Sequence, residues 1–247
     1  IPHMIEINGL LREEKKHVQI KMLGFQIAQE NSLSHYDLVR VMTKQQKETL
    51  VHRFHKDPAD IFAIPQGTNP ETFRDLGKES CREQLGLEKQ ALIFTFVGAL
   101  NSARYFLGIR AFLESFKNFV KKYPNSLFRV VGNGSKKGKI QKLAEKKGIL
   151  KNLEFTGYVP NTQVPIHISA SDICLQVWVP EFPGKEELSI KLPSYMACER
   201  RVLVTDIPGF RDVTKSFQPL LWDYRDPSSM SHCLNQAREE RASWDLG

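Results

Sequence analysis

The 247-residue sequence holds only four cysteines, Cys81, Cys174, Cys198 and Cys233, and no two of them form a CxxC pair. That spacing argues against a thiolate metal site and against a disulfide framework, and fits buried, reduced thiols. The seven histidines include no HxxxH or HExxH pair, so no metal centre is expected. No apolar run approaches the ~20 residues that a membrane-spanning helix needs. The opening "IPHMIEINGLLREEKK" has no basic leader followed by an apolar segment, so it does not read as a signal peptide. With the free cysteines, this makes a reducing cytoplasm the expected setting. Internal repeats and low-complexity tracts are missing too. The sequence does not begin with Met, and its first residues read like the middle of a strand, so a longer parent protein is expected.

What is present begins with charge. The formal net charge is +7 and the isoelectric point about 9.2, which favours an anionic partner: a phosphorylated small molecule, an acidic membrane surface or nucleic acid. The lysines gather in "KNFVKKYP" and "GSKKGKIQKLAEKKG". Both read as solvated helix faces without interleaved aromatics, so nucleic acid is not the expected partner.

From Leu92 onward strand and helix patterns alternate. "LIFTFVG" is a continuous apolar run ending in Gly98, as in a strand covered on both faces. An amphipathic helix follows from Leu107, with Ile109, Phe112, Leu113, Phe116 and Val120 on one face and Pro124 closing it. Then come the strand "LFRVVGNG", a lysine-rich helix stopped by Gly148, "LEFTGYVP", the short helix "TQVPIHISAS" and the strand "ICLQV". A helix over 190–198, the strand "RVLVT", a turn at Pro208-Gly209, the strand "PLLW" and a helix from about Pro227 complete the pattern. Alternating strands and helices of this kind predict a doubly wound parallel sheet of about six strands, with right-handed crossovers. Ligands of such sheets bind beyond the carboxyl ends of the strands.

The first 65 residues differ. "MIEING" and "DLVRVMT" read as strands, and "REEKKHVQIKMLGFQIAQENSL" and "KQQKETLVHRFHKD" as helices. "IFAIPQGTNPETF" runs into a linker. This predicts a partial α/β domain over 1–68, with the second domain over 69–247.

Five segments, taken in order, resemble a known family: "IPQGTNPETF", "FVGALNSARYFLGIRAFLESF", "VVGNGSKKGKIQKLAEKKGI", "LEFTGYVPNTQVPIHISASDICL" and "GKEELSIKLPSYMACERRVLVTDIPGFRDV". Their order and spacing are similar to those of the group 1 (family 4) glycosyltransferases. The resemblance implies a GT-B fold of two Rossmann-like domains. It also implies that most of the acceptor-side domain lies outside this sequence. The implied co-substrate is a nucleotide-diphosphate sugar and the acceptor a glycan or lipid-linked molecule. Transfer would retain anomeric configuration, need no metal, and serve polysaccharide assembly at the inner face of a membrane.

The resemblance also assigns residues. Glu186 falls at the position that contacts the donor sugar, and backbone N–H groups of Ser189 and Ile190 fall where the diphosphate docks. Lys191 and Leu192 match a Lys-Leu pair of one branch. Ser194 stands where a second glutamate would hold the ribose. Serine there gives up part of a charge-assisted contact worth ~1.5–3 kcal/mol, or about tenfold in affinity. The diphosphate-binding Arg and Lys of the family fall at Ala99 and Leu107, and Arg104 in a longer loop is the candidate replacement cation. Gly98 would let phosphate approach, and Tyr158 and Val159 would hold the base. Gly132-Asn133-Gly134 is a lone GxG, too little for a phosphate cradle by itself. Asp172 reads as a structural cap. Glu199-Arg200-Arg201 fill the places where the family has a Gly and then a small turn with Pro, and a non-glycine helix end there costs on the order of 1 kcal/mol. The departures at Ala99, Leu107 and Ser194 leave a second expectation open, a catalytically degenerate scaffold or partner subunit. An epimerase of the same fold would need acidic and His groups that the pattern does not supply.

Overall fold

The computed structural model describes residues 4–7, 36–177, 179 and 191–244. They fall into two compact units; the chain passes from the first to the second at Gln66–Gly67, and Ile207–Gly209 group with the first.

In the first unit, strands β1 (Met4–Ile7), β2 (Leu38–Val41) and β3 (Ile61–Ala63) pair in that order, all parallel. Helix α1 (Lys44–Phe54) connects the last two. It opens on a capping box: Thr43 Oγ1 accepts from Gln46 N at 3.0 Å, and Gln46 Oε1 accepts from Thr43 N at 3.1 Å. Val39, Val41, Leu50 and Ile61 make the core. The sequence suggested two strands here. The third has three residues, too few for an alternation to show beside the Pro/Gly-rich linker. The helix expected over 12–33 lies outside the described residues.

The second unit is the doubly wound sheet. Its strands are β4 (Leu92–Val97), β5 (Ser126–Val131), β6 (Leu153–Gly157), β7 (Ile173–Gln176), β8 (Arg201–Thr205) and β9 (Leu220–Trp222). They lie in the order β6-β5-β4-β7-β8-β9, every pair parallel. One face is covered by α3 (Ala103–Lys122), α4 (Lys137–Lys146) and α8 (Ser229–Trp244). The apolar stripe of α3 seats on β4 and β5 through an aromatic cluster, with Phe94–Phe112 centroids at 5.5 Å and Phe112–Phe128 at 4.7 Å. Helices α5 (Val164–Ser169) and α6 (Lys191–Ala197) pack against β4, β7 and β8.

Two local expectations change. Helix α3 starts at Ala103, four residues before its apolar period begins, because the Ser102 hydroxyl accepts from Arg104 N at 3.2 Å. Pro208-Gly209 does not make a turn but opens helix α7 (Pro208–Thr214), where the fixed φ of proline suits the first helical position. Helix α2 (Lys78–Gln84), preceding β4, was not foreseen.

A buried polar hub fixes the amino ends of the two central strands. Asp172 Oδ2 accepts from Arg82 Nη2 at 2.7 Å and from Ile93 N at 2.8 Å, with both charged side chains fully buried. Arg82 also donates to the carbonyls of Ala170 and Lys89. Lys78 at 3.5 Å and Arg241 at 3.6 Å also approach Asp172, so the costlier change is to remove Asp172, which would strand the buried Arg82 at a cost of about 3–5 kcal/mol. The sequence reading of Asp172 as a structural residue matches this role.

Candidate functional site

In a sheet of this order the connections run outward in opposite directions from β4 and β7, so the crevice between those two strands is where a ligand can enter. Pairing between them ends early: the last matched residues are Thr95 and Cys174. Beyond that point β4 keeps only β5 beside it through Val97, whose amide would face an empty slot on the β7 side. Tyr195, on α6 and fully buried, fills it, its phenol oxygen accepting from Val97 N at 3.0 Å. Burial raises the Tyr195 phenol well above its ordinary range, so it stays protonated.

One helical turn earlier on α6, Lys191 reaches over the end of β4. Its ammonium stands 3.8 Å from the Tyr105 ring centroid and 4.9 Å from that of Phe96. Two ring faces hold the cation at the mouth of the crevice, a contact worth about 0.5–2 kcal/mol. Gly98 makes the room. A Cβ there would lie 2.4 Å from Lys191 Cε, so what this glycine admits in the structure is the lysine side chain.

The loops after β4 and β5 are packed backbone to backbone. A Cβ at Gly132 would lie 2.2 Å from the Gly98 carbonyl oxygen, and one at Gly134 would lie 2.6 Å from the Leu100 carbonyl carbon. Leu100 N donates to Asn133 O at 2.9 Å, and Lys136 N donates to Leu100 O at 2.8 Å. The Asn101 side chain accepts from Ser135 N at 2.9 Å. The Gly-Asn-Gly motif thus serves the joining of two loops that shape the rim. Arg104 sits in the first turn of α3, and its carbonyl accepts from Val179 N at 3.3 Å, which ties the exit of β7 to the start of that helix.

The other expected residues are placed as follows. Ser194 is 8% exposed, and its Oγ lies 3.1 Å from Thr68 Oγ1, a linker residue that the sequence reading did not single out. Leu192 points into the core at 1% exposure, so of the Lys-Leu pair it is Lys191 whose side chain faces the crevice. Ala99 is exposed and Leu107 half-buried, at the places where the resemblance would put cations. Tyr158 is 81% exposed, with half-buried Val159 beside it, at the carboxyl end of the edge strand β6. Gly157 before them has φ +77° with open space around its Cα, so the turn itself asks for glycine. Glu186, Ser189 and Ile190 lie outside the described residues. Tyr195 and Tyr105 were missed. The signal for Tyr195 was its i,i+4 spacing from Lys191, which puts both on one face of the helix.

The places of the family's Gly and its small turn with Pro are filled by residues with new partners. Glu199 adopts φ +56°, the left-handed conformation that glycine takes without strain. Arg200 pairs with Asp75 at 3.0 Å and donates to the Cys198 carbonyl at 2.8 Å, while Arg201 pairs with Glu240 at 2.7 Å. A cleft of about 290 Å³ lined by Lys78, Asp172, Glu199, Arg200, Arg201 and Phe217 lies at the amino ends of β7 and β8, away from the switch-point rim. Among the described residues, no group of three His, Cys, Asp or Glu side chains is placed to hold a metal ion. None of the described helices is long and apolar enough to cross a membrane.

Comparison with known proteins places this architecture. The family model described as "Glycosyl transferases group 1" matches residues 77–243. The alpha-monoglucosyldiacylglycerol synthase of Acholeplasma laidlawii is 27% identical over 146 residues, covering 56% of this chain and 36% of that protein. The D-inositol 3-phosphate glycosyltransferase of Corynebacterium jeikeium is 25% identical over 221 residues, covering 85% and 51%. Among solved structures, Anabaena HepE in complex with UDP superposes with a TM-score of 0.75 at 13% identity, over 97% of this chain and 63% of that one. Sucrose-phosphate synthase from Thermosynechococcus elongatus gives 0.69 at 18% identity, over 88% and 53%. The chain therefore spans between about a third and two thirds of the length of these proteins. The fold is the GT-B type that the five segments implied. With the match running from α2 through α8, the chain belongs to the glycosyl transferases group 1 family.

Proposed function

We propose that this chain carries the donor side of a glycosyltransferase that moves a sugar from a nucleotide-diphosphate sugar to a glycan or lipid-linked acceptor. The observation that carries the proposal is the Lys191 ammonium, held by Phe96 and Tyr105 at the switch-point crevice where the carboxyl ends of β4 and β7 part. A cation fixed at that place offsets the charge that develops on a departing diphosphate. Arg104, in the first turn of α3, is the second cation of the same rim. A relative solved with UDP shares the fold, which supports a nucleoside diphosphate as the ligand.

In the transfer, the bond from the sugar's anomeric carbon to the diphosphate oxygen breaks. A bond from that carbon to the acceptor oxygen forms, and the acceptor proton passes to the departing diphosphate. No carboxylate nucleophile is then required, and configuration is retained. Glu186 steadies the sugar, while backbone amides of Ser189 and Ile190, Gly98 at the end of β4, and Tyr158 and Val159 beyond β6 complete the donor site. Protein cations stand in this scheme where a metal would otherwise serve.

The buried Ser194 hydroxyl, already bonded to Thr68, favours a second reading in which the donor site has decayed and the unit serves as a scaffold. Calorimetric titration with nucleoside diphosphates separates the two. Saturable binding that weakens about tenfold or more in Lys191→Met supports the transferase, and no heat above background with any of them supports the scaffold. In the parent protein, Glu186→Ala should cut transfer by two or more orders of magnitude, and unchanged turnover would remove Glu186 from the site.

A further inference from the structure

The charge of this chain is unevenly spread. Residues 103–151, which run from α3 through α4 to the start of β6, carry thirteen Lys and Arg against two Asp and Glu, an excess of eleven. The remainder carries 22 basic and 26 acidic residues, so it is net acidic by four. The basic excess of the protein therefore belongs to one segment; within it Arg129 is buried on β5 and Arg104 stands at the donor rim, while the exposed cations of α3 and α4 share one face of the second unit.

Helices α3 and α4 lie side by side over the same face of the sheet, their apolar stripes sharing one core. Their solvent ridges meet at an ion pair between Glu114 and Lys147, which uses up one of the two acids. Arg110, Lys121 and Lys122 are exposed on α3, and Lys139, Lys142 and Lys146 on α4, where the spacing i, i+3, i+7 aligns them along one ridge. At the foot of α4, Leu150 is 43% exposed and is followed by exposed Lys151, an apolar tip beside a cation.

We infer that this ridge pair is a docking surface for an anionic phospholipid bilayer. Three observations favour a bilayer over a nucleic acid. Six of the seven exposed cations are lysines, which act as hydrated point charges; guanidinium groups grip nucleic-acid phosphates two-handed. The surface is a pair of convex ridges, which suits a broad plane of headgroups. Two nearby rings, Tyr123 and Phe155, are covered by Lys122 and Lys137 at 5.2 and 5.6 Å, which occupies faces a base would stack on. Each lysine close to an anionic leaflet adds about fivefold to the affinity, and Leu150 adds a small apolar anchor. The surface lies wholly within the second unit and owes nothing to the donor site, so its fate and that of the proposed transfer are separable.

The test is co-sedimentation of the full chain with vesicles of phosphatidylcholine alone and of phosphatidylcholine mixed with phosphatidylglycerol, at low and high salt, beside a titration with duplex DNA. The expected result is binding to the phosphatidylglycerol vesicles only, weakening as salt rises. The variant K139Q/K142Q/K146Q should bind them about a hundredfold more weakly, while K139R/K142R/K146R keeps its affinity and the thermal melt is unchanged. K121Q/K122Q provides an independent reduction on the neighbouring helix. Equal binding to both vesicle types, tighter binding to DNA than to vesicles, or undiminished binding by both glutamine variants would each overturn the inference.

Discussion

The phenol oxygen of Tyr195 lies 3.0 Å from the backbone nitrogen of Val97 and accepts its N–H where β4 has lost β7 as a neighbour. A hydroxyl carried on a helix thus does the work of a missing strand, and the crevice opens without leaving a buried amide unpaired. Tyr195→Phe keeps the ring and removes that partner. The variant should lose about 1–3 kcal/mol of stability, read as a lower midpoint in urea. An unchanged midpoint would show that water or another group already satisfies Val97.

Lys191 and Gly98 form a testable pair. Lys191→Met preserves the stem that fills the space over Gly98 and deletes the charge. Binding of nucleoside diphosphate should weaken about tenfold or more, with little change in melting temperature. Gly98→Ala should reach a similar loss by another route, because its Cβ would collide with the lysine stem at 2.4 Å and its φ of +141° disfavours a side chain. If Gly98→Ala binds like the parent, the lysine does not need its present position.

Much of this was legible beforehand. The central strands of the second unit announced themselves because they are buried on both faces and so read as unbroken apolar runs, whereas the edge strands β6 and β9 showed through their place in the strand–helix alternation. "LIFTFV" and "RVLVT" are the clearest. The period of α3 was equally plain in Ile109, Phe112, Leu113 and Phe116. What stayed hidden depended on contacts between segments distant in the chain. Nothing near Thr68 advertises Ser194 as its partner, since 126 residues separate them. The glycines of Gly132-Asn133-Gly134 looked like a weak phosphate motif, because the loop that presses on them comes from the end of β4, more than thirty residues away. Pro208-Gly209 misled because the same dipeptide can begin a helix or make a turn, and only the following packing decides.

Glu199 offers a stabilising change. Its φ of +56° places a side chain where glycine is at ease, and that side chain is exposed. Glu199→Gly should raise stability by up to about 1 kcal/mol. A matched pair of thermal melts measures this, and a lower melting temperature would mean that the carboxylate contributes more than the strain costs.

His167 gives the fold a pH dependence. Burial, with Arg129 nearby, lowers its pKa from 6.5 to about 4. Between those values the unfolded chain binds a proton that the folded chain refuses, so the contribution of His167 is complete above pH 6.5 and is lost as pH falls toward about 4. Across that window His167→Leu should gain on the parent protein by up to about 3 kcal/mol. Urea midpoints of the two proteins at stepped pH give the difference, and parallel curves would contradict the shift.

The joined loops beyond β4 and β5 bear on redesign. Because Gly98, Gly132 and Gly134 touch neighbouring main chain or Lys191 so closely, random mutagenesis there would mostly yield misfolded clones. The segment Tyr158–Gln163 is the opposite case, exposed along nearly its whole length with no such crowding at Gly157. On the proposed placing of the base at Tyr158 and Val159, a library meant to alter nucleotide choice should spend its diversity on that stretch and keep the three glycines constant.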